Sequence, residues 1–493
     1  MILHNGPVYT LDPRLPQVAA LSIAGDRIAG GVDVREGEID TVGHERVDLD
    51  GRCVLPGFTD SHVHFLEWAL ERTRLDLTPA ASLYEALRMI AEAPAQGEWV
   101  QGHGWLSARW GDAGPTAAAL DTVTGDRPAA LWAHDHHTLW VNSAAMAATG
   151  VRSADGVFQE WDAWRFPLPE PTWAERVKAV TAGMLEANAR GVVCVHDMQA
   201  RGGREIWQHL DADRRLRLRV AMSIPLDDLA GARALELRTG FGSRMLRVGP
   251  VKAFMDGTLG SQTAWMLDGS GDRLLSEHEL AEAITEAAAG RLGIAVHAIG
   301  DGANRAALNA FERTRGSWED ALVRPRIEHA QCVEMSDIPR FGELGVIASM
   351  QPAMIASDRD VADRRWGDRA ASSAFRLADL LDSHAHVILG SDAPIEPLDP
   401  LSSIGAAVHR TLDDREPWHQ GQCVPVADAV SGHTAAAAYA LGDERWRGCL
   451  LPGYAADLVV LDTDIMSNPE RIGSAGVVAT MLDGRWVHGA PPW

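Results

Sequence analysis

Eight apolar, strand-like segments recur along the middle of the chain, separated by stretches rich in Ala, Leu and Glu that are typical of helices. The segments are VLPGFTDSHVH (54–64), GVVCVHDM (191–198), LRLRVAMSI (216–224), RVGPVKAFMDG (247–257), GIAVHAIG (293–300), RPRIEHA (324–330), GVIASMQP (345–352) and HVILGSDAP (386–394). Strands that alternate with helices predict a parallel sheet with helices packed on it. Eight such units predict an α/β fold of the TIM (β/α)8 barrel type.

The two ends of the chain have a different sequence pattern. Residues 1–56 and 448–493 contain short strand-like runs broken by Gly, Asp and Pro. Neither end has enough strands for a core of its own. We therefore expect the two ends to form one small composite β-sandwich domain, and residues 57–447 to form the barrel domain.

The stretch 65–190 is too long for one strand-to-helix connection. We interpret it as an insertion over the barrel mouth. Its segment 157–173 carries Trp161, Trp164 and Trp173 and is stiffened by prolines, which suggests a lid.

Charge and composition limit the partners that this chain can have. Lys and Arg number 45 and Asp and Glu number 68, a formal net charge of −23. Nucleic acid and acidic membrane surfaces would be repelled, so we expect a small-molecule substrate instead. The five cysteines form no C-x-x-C pair, no basic and apolar leader precedes the first strand, and no apolar run reaches 18 residues. These features predict a cytoplasmic protein without a membrane span; a homodimer is left open.

Histidines occur three times as H-x-H pairs, and their context differs. The pair His62 and His64 ends a predicted barrel strand, where alternate residues point to the same face. Active sites of such barrels lie at the carboxyl ends of the strands. His384/His386 precede a strand and are expected to be structural, whereas His134/His136 fall in the insertion and are expected at its surface or in a pocket.

Four more potential metal ligands end other predicted barrel strands: Lys252, His297, His329 and Asp392. With His62 and His64 they give six side chains at one rim, the pattern of nitrogen and oxygen ligands that a hydrolytic metal site needs. Lys252 is one of only two lysines, against 43 arginines (45 − 2). A lysine that persists in so Arg-rich a chain suggests a role that a guanidinium cannot fill.

Weaker candidates for substrate contact are His196, Asp197, Trp105, Trp161, Trp164 and Asp256. His196 and Asp197 end the second barrel strand and either touch substrate or pack at the rim. The tryptophans either wall a pocket or form core. Asp256 follows Lys252 and either orients it or forms a turn.

Several motifs together resemble the amidohydrolase superfamily and, within it, the amidohydrolase-3 branch of YtcJ-like and N-substituted formamide deformylase-like proteins. The motifs are PGFTDSHVHF (56–65), HTLWVNSAAM (137–146), VKAFMDGTLGSQTA (251–264), VHAIGDGAN (296–304), RIEHAQ (326–331), GSDAP (390–394) and PGYAADLVVLD (452–462). They span nearly the whole chain in the family's order. Gln262 stands where we expect Arg or His after Gly-Ser, a departure that bears on the substrate and not on the metal site.

The resemblance implies a hydrolase with two divalent ions, of which Zn²⁺ suits the ligands best. His62 and His64 would bind one ion, His297 and His329 the second, and Asp392 would complete the first. Lys252, converted by CO₂ into a carbamate, would bridge the two ions. A metal-bridging hydroxide would attack an amide, formamide or cyclic amide carbonyl, with Asp392 as the proton shuttle.

Two other readings remain open. One is a mononuclear deaminase of an aromatic base, a reaction that usually has a Glu near the third histidine, where VHAIGDGAN offers only Asp301. The other is a non-catalytic scaffold that has lost its metal. The presence of all six potential ligands favours the hydrolase over the scaffold.

Overall fold

The computed structural model describes residues 1–32, 45–93, 98–107, 110–111, 114–134, 136–198 and 202–492. The strands in chain order are β1 (Ile2–Tyr9), β2 (Gln17–Ala24), β3 (Arg27–Val32), β4 (Arg46–Asp48), β5 (Cys53–Pro56), β6 (Phe58–Val63), β7 (Leu75–Asp76), β8 (Val100–Trp105), β9 (Ala129–Ala133), β10 (Thr138–Val141), β11 (Val157–Gln159), β12 (Val192–Asp197), β13 (Arg219–Pro225), β14 (Leu246–Phe254), β15 (Ile294–Ala298), β16 (Arg326–His329), β17 (Ile347–Met350), β18 (Val387–Leu389), β19 (Leu458–Leu461), β20 (Val477–Leu482) and β21 (Arg485–His488).

The helices in chain order are α1 (Phe65–Glu71), α2 (Leu83–Glu92), α3 (Ala117–Thr124), α4 (Ser143–Thr149), α5 (Glu160–Trp164), α6 (Trp173–Ala189), α7 (Gly203–Ala212), α8 (Leu229–Ala234), α9 (Glu277–Ala289), α10 (Asp301–Arg313), α11 (Arg315–Asp320), α12 (Ile338–Leu344), α13 (Ile355–Trp366), α14 (Asp368–Ser373), α15 (Leu377–Asp382), α16 (Pro400–His409), α17 (Val426–Gly432) and α18 (Ala435–Ala440). Short 3₁₀ helices span Leu226–Asp228, Pro352–Met354, Gln420–Gln422 and Pro469–Ser474. Among the described residues, no helix is both long and apolar enough to cross a membrane.

The barrel predicted from the sequence is confirmed. Its eight strands are all parallel and run in the order β6, β12, β13, β14, β15, β16, β17, β18. A parallel bridge between Val63 and Ala393 links the first strand to the segment after the last, so the barrel is nearly closed. Every residue of β12, VVCVHD, is buried, as expected for a strand covered on both faces.

Helix α9 shows how local sequence builds the layer around the barrel. Ser276 and Glu279 form a capping box: the Ser276 hydroxyl accepts from the Glu279 amide at 3.2 Å, and the Glu279 carboxylate accepts from the Ser276 amide at 2.8 Å. From this fixed start, Leu280, Ile284 and Ala287 recur at helical spacing and are buried in the main core. Each large side chain buried in this way contributes about 1.5–3 kcal/mol of hydrophobic stabilisation.

One sheet unites both ends of the chain, as a composite β-domain requires. Its order is β21, β20, β19, β5, β1, β2, β3, with β4 paired to β1. Strands β5 and β19 are antiparallel neighbours, with Leu55 opposite Val459, so the N-terminal and C-terminal parts meet at this pair. The sheet buries a separate apolar cluster that includes Leu21, Val54 and Met481.

Residues 66–182 form a compact unit of their own. Its five-stranded sheet has the order β11, β10, β9, β8, β7. Trp105, Trp110 and Trp140 pack against one another in its core, with ring centroids about 6 Å apart. The expectation that this unit covers the barrel mouth stays a prediction.

Candidate metal centre

A single carboxylate lies among three imidazoles at the carboxyl end of the barrel strands. Asp392 Oδ1 is 3.3 Å from His62 Nε2 and 3.4 Å from His64 Nε2, and Asp392 Oδ2 is 3.9 Å from His329 Nδ1. In the described part of the chain, His62, His329 and Asp392 are the group of potential ligands whose donor atoms all lie within 4.8 Å of one another. Burial opposes ionisation of Asp392, but the three imidazoles hold its pKa well below the usual range.

The backbone is unusual at two of these residues. His329 has φ 75° and Asp392 has φ 59°, the left-handed region that non-glycine residues rarely adopt. Such conformations cost on the order of 1–3 kcal/mol and cluster at functional sites. Asp392 is held there by its amide, which donates to the His62 carbonyl at 2.7 Å. The buried Asp60 carboxylate accepts from the amides of His62 at 3.1 Å and Ser391 at 3.0 Å, which ties the first strand to the last.

Glu328 fixes the orientation of His62 through Nδ1, the ring nitrogen that does not face Asp392. His62 Nδ1 lies 2.6 Å from Glu328 Oε2. Burial raises the pKa of Glu328, but the Arg326 guanidinium and His62 outweigh it and keep that pKa well below the usual range. The carboxylate is therefore the acceptor and His62 Nδ1 the donor, which leaves the Nε2 lone pair directed at Asp392. Arg326 also donates to Glu328 Oε2 at 2.9 Å and to the Ser61 carbonyl at 2.8 Å.

His329 and His297 adjoin each other, with ring centroids 4.5 Å apart. Gln351 Oε1 lies 2.9 Å from His329 Nδ1. Burial lowers the pKa of His329 to about 3, so this imidazole is neutral at physiological pH. His297 Nε2 lies 3.1 Å from the Gly257 carbonyl and 3.6 Å from Asp256 Oδ1.

The sequence leaves two roles open for Asp256, to orient Lys252 or to form a turn. Its carboxylate accepts from the amides of Ile299 at 3.0 Å, Gly300 at 2.8 Å and Trp265 at 2.9 Å. These contacts order the two loops that flank His297. Burial raises the pKa of Asp256 to about 7, although the hydrogen bonds from the three amides lower it.

Lys252 is buried in the same cluster. Its Nζ lies 4.9 Å from the centre of the Phe254 ring and has no hydrogen-bond partner among the described residues. Burial lowers its pKa to about 8, although Glu328 and Asp392 act in the opposite direction. A substantial fraction of the amine is therefore neutral near physiological pH, which is the form that reacts with CO₂.

The donor set fits a divalent metal. His62 Nε2 and Lys252 Nζ are both buried without a hydrogen-bond partner in the described residues. Burying such polar atoms costs free energy unless a ligand binds to them. Neutral imidazoles and a carboxylate are ligands that Zn²⁺ prefers. An ammonium at Lys252 would repel a cation, whereas a carbamate would attract it.

The weaker candidates occupy different environments. His196 and Asp197 are buried: His196 Nδ1 lies 3.1 Å from Arg326 Nη1, and Asp197 accepts from the Trp207 indole at 2.6 Å. Trp105 is buried too and donates to the Leu131 carbonyl at 2.8 Å. These contacts favour packing and positioning roles over substrate contact.

Trp161 and Trp164, by contrast, are 54% and 42% exposed, and their place at a substrate pocket stays a prediction. His386 stacks on Tyr439 with centroids 3.9 Å apart, in keeping with a structural role. In the insertion, His136 Nε2 lies 2.7 Å from Glu71 Oε1.

Sequence reasoning missed three side chains that surround the candidate ligands: Arg326, Glu328 and Gln351. The signal for the first two lies in RIEH (326–329), where charged residues two apart occur inside a fully buried strand. Buried charges are rarely found unpaired. This rule predicts that Arg326 and Glu328 form an ion pair with each other or with a third group.

Comparison with known proteins places these observations in a family. The sequence profile of the amidohydrolase family matches residues 45–488. The protein LONG AFTER FAR-RED 3 of Arabidopsis thaliana is 29% identical over 99% of this chain and 91% of its own. The putative amidohydrolase YtcJ of Bacillus subtilis is 26% identical over 99% of both chains. The N-substituted formamide deformylase of Arthrobacter pascens is 25% identical over 98% of this chain and 97% of its own.

Among solved structures, an uncharacterized metal-dependent hydrolase from Pyrococcus furiosus is 29% identical, with a TM-score of 0.78. The match covers 94% of this chain and 99% of that one. The similarity therefore includes the barrel, the terminal sheet and the inserted unit.

Proposed function

The chain belongs to the amidohydrolase family, and we propose that it hydrolyses a carbon–nitrogen bond in an amide, formamide or cyclic amide of a small molecule. The observation that carries the proposal is the Asp392 carboxylate within 4 Å of imidazole nitrogens from His62, His64 and His329. The relative named as an N-substituted formamide deformylase, which aligns over 98% of this chain, supports the choice of bond.

We propose that His62, His64, His297, His329, Asp392 and a carbamate on Lys252 hold two divalent ions, with Zn²⁺ as the best fit. When bound, such ions lower the pKa of a water molecule and polarise a carbonyl. A carbamate on Lys252 would offer two oxygen ligands, which would suit a site for two ions. The buried Nζ without a partner is the observation behind this assignment.

Asp392 is the proposed proton shuttle. Its lowered pKa keeps it ionised at neutral pH, so it can accept a proton from the attacking water. It then returns that proton to the departing nitrogen, which must leave as a neutral amine. Glu328 keeps the His62 ring in one tautomer, and Arg326 keeps Glu328 ionised.

The substrate is proposed to be neutral or cationic, since the chain carries a net charge of −23. Trp161 and Trp164 are proposed to wall an apolar or aromatic group of that substrate. We also propose that the reaction takes place in the cytoplasm.

A second candidate function is a single-metal deaminase of an aromatic base. One observation favours it: His62, His329 and Asp392 alone among the described residues form a close ligand group, enough for one ion. The two functions release different products, a carboxylate with an amine in one case and ammonia in the other.

The test is a hydrolysis screen over N-acyl, N-formyl and cyclic amides, with aromatic amino-bases as a second panel. Each compound is incubated with Zn²⁺-loaded protein and with protein stripped by a chelator. We expect carboxylate release from at least one amide class, lost on stripping and restored by Zn²⁺. Ammonia release from the bases alone would favour the deaminase, and no turnover on either panel by fully loaded protein would refute both.

A further inference from the structure

Phe254 is an exposed aromatic residue that contacts two of the candidate metal ligands. It ends strand β14 and is 43% exposed, whereas the other residues of that strand are buried or, at Arg247, half-buried. The centre of its ring lies 5.2 Å from that of His297 and 4.9 Å from Lys252 Nζ. Ligand sites combine apolar walls with a few convergent polar groups. The open surface of this ring is therefore available to a ligand at the candidate metal centre.

The alternation of side chains along β14 places Phe254 on the inner face of the barrel. Val251 and Ala253 belong to the main apolar core, which also contains the buried face of helix α9. Lys252 and Phe254 are the alternate residues and point to the opposite face of the strand. Phe254 thus follows Lys252 along the inner face and lies at the carboxyl end of β14, where the active sites of such barrels are built.

Phe254 and Asp392 lie on opposite sides of the barrel mouth. In the strand order that begins with β6, β14 is the fourth strand and β18 is the eighth, so half of the ring separates them. Phe254 ends β14, and Asp392 follows β18. The candidate ligands close to Phe254 come from β14 and β15, whereas the nearest to Asp392 come from the end of β6.

The proposed reaction determines which half of an amide faces each side. Hydrolysis joins the water oxygen to the carbonyl carbon and breaks the carbon–nitrogen bond. The departing nitrogen takes the proton that Asp392 accepted from the water, so this nitrogen must lie within reach of Asp392. The acyl substituent is attached to the other side of the carbonyl carbon. It therefore extends across the barrel mouth, towards Phe254.

Building on the proposed amide hydrolysis, we propose that Phe254 binds the acyl group of the substrate and that this group is aromatic. A flat ring can stack on the open face of Phe254 or meet it edge to face, the two arrangements that aromatic pairs prefer. A formyl group has no substituent that could reach this ring. The inference narrows the substrate class to N-acyl amides with an acyl group such as benzoyl.

The first test compares two products of the acyl side, benzoate and acetate, by titration calorimetry with the Zn²⁺-loaded protein. We expect benzoate to bind the wild-type protein at least ~5-fold more tightly than acetate, the gain of one aromatic contact. Phe254→Ala should abolish this preference. Phe241→Ala is the matched control, because Phe241 is 58% exposed but precedes β14, at the opposite end of the same strand. It should keep the wild-type preference.

Equal binding of benzoate and acetate by the wild-type protein, or an unchanged preference in Phe254→Ala, would overturn the proposal. If Phe254→Ala does not fold, a crystal structure of the wild-type protein with benzoate takes its place. A benzoate ring against Phe254 supports the proposal, and a ring on the side of Asp392 rejects it.

The second test measures hydrolysis of the N-benzoyl and N-formyl derivatives of one amine. A higher kcat/KM for the N-benzoyl compound, lost in Phe254→Ala, supports the assignment of the acyl group. A preference for the N-formyl compound overturns it. Hydrolysis of neither compound counts against the proposed function, and the ratio of benzoate to acetate binding then decides separately whether Phe254 forms an aromatic subsite.

Discussion

Glu328 and His329 are neighbours in the chain, yet both contact His62: the Glu328 carboxylate lies 2.6 Å from its Nδ1, and the His329 ring lies 4.9 Å from its ring. In a regular strand, adjacent side chains point to opposite faces. The left-handed backbone at His329 breaks this alternation and brings both side chains to the barrel interior. One strand thereby supplies a candidate ligand and the group that orients another.

Replacing Glu328 tests whether it positions His62 for metal binding. Glu328→Gln keeps the size of the side chain but removes the charge, so His62 Nδ1 no longer donates to a carboxylate. We expect Zn²⁺ affinity to fall by roughly 10–100-fold, the usual cost of losing such a partner. Competition with a chromogenic chelator measures the Zn²⁺ affinity directly. Glu343→Gln, on the exposed side of α12, is the control; equal affinity in all three proteins would show that Glu328 has no positioning role.

Asp392→Asn should leave the fold intact and lower kcat by at least ~10²-fold, as expected on losing a positioned proton acceptor. Asn tolerates the left-handed backbone at this position, so the change is confined to the carboxylate. The rate is measured with metal-saturated protein so that weaker binding does not contribute. Asp320→Asn, a surface substitution in α11, should retain full activity. Near-normal turnover of Asp392→Asn would assign the proton transfer to another group.

Lys252 is testable because the chain has only one other lysine, Lys178. Protein equilibrated with ¹³C-bicarbonate should show one carbamate resonance, retained in Lys178→Arg and absent in Lys252→Ala and Lys252→Arg. Both Lys252 variants should lose one metal ion and most activity. Formate or acetate should partly restore Lys252→Ala but not Lys252→Arg, whose charge still occupies the site. An unmodified Lys252 in fully active protein would contradict the carbamate.

His433 makes folding stability depend on pH. It is buried, with Nδ1 3.0 Å from the Thr59 carbonyl and Nε2 2.9 Å from Ser403 Oγ, and burial lowers its pKa from 6.5 to about 4. Between these values the unfolded state binds a proton that the folded state does not. The contribution of His433 to the free energy of unfolding is therefore complete above pH 6.5. It falls by about 3 kcal/mol as the pH drops to 4.

Urea unfolding of His433→Gln across this range provides the measurement. Glutamine does not titrate, so we expect a lower free energy of unfolding at pH 7 but a shallower decline towards pH 4. His278→Gln, at a side chain that is 76% exposed, should follow the wild-type curve. Parallel curves for wild type and His433→Gln would exclude His433 as the source.

The barrel was predictable because continuous apolar strands and intervening helices leave a strong periodic signal. The candidate ligands were predictable because the strand ends of a barrel converge at one rim, independently of the conformation of the loops. The role of Glu328 was not, since strand periodicity places it opposite His329 and only the left-handed backbone reverses this. Trp105 was equally ambiguous: an indole in a core and an indole in a pocket have the same sequence context, and the Leu131 carbonyl bond appears only in three dimensions.

Inductively coupled plasma mass spectrometry of the purified protein, compared with its rate of amide hydrolysis, tests directly whether the reaction depends on bound metal. Protein stripped with a chelator and reconstituted in steps should gain activity in proportion to bound Zn²⁺, up to two ions per chain. Asp392→Ala should bind fewer ions and remain inactive. Hydrolysis that persists without metal, or a fully folded protein that binds none, would contradict the proposed metal-dependent hydrolysis.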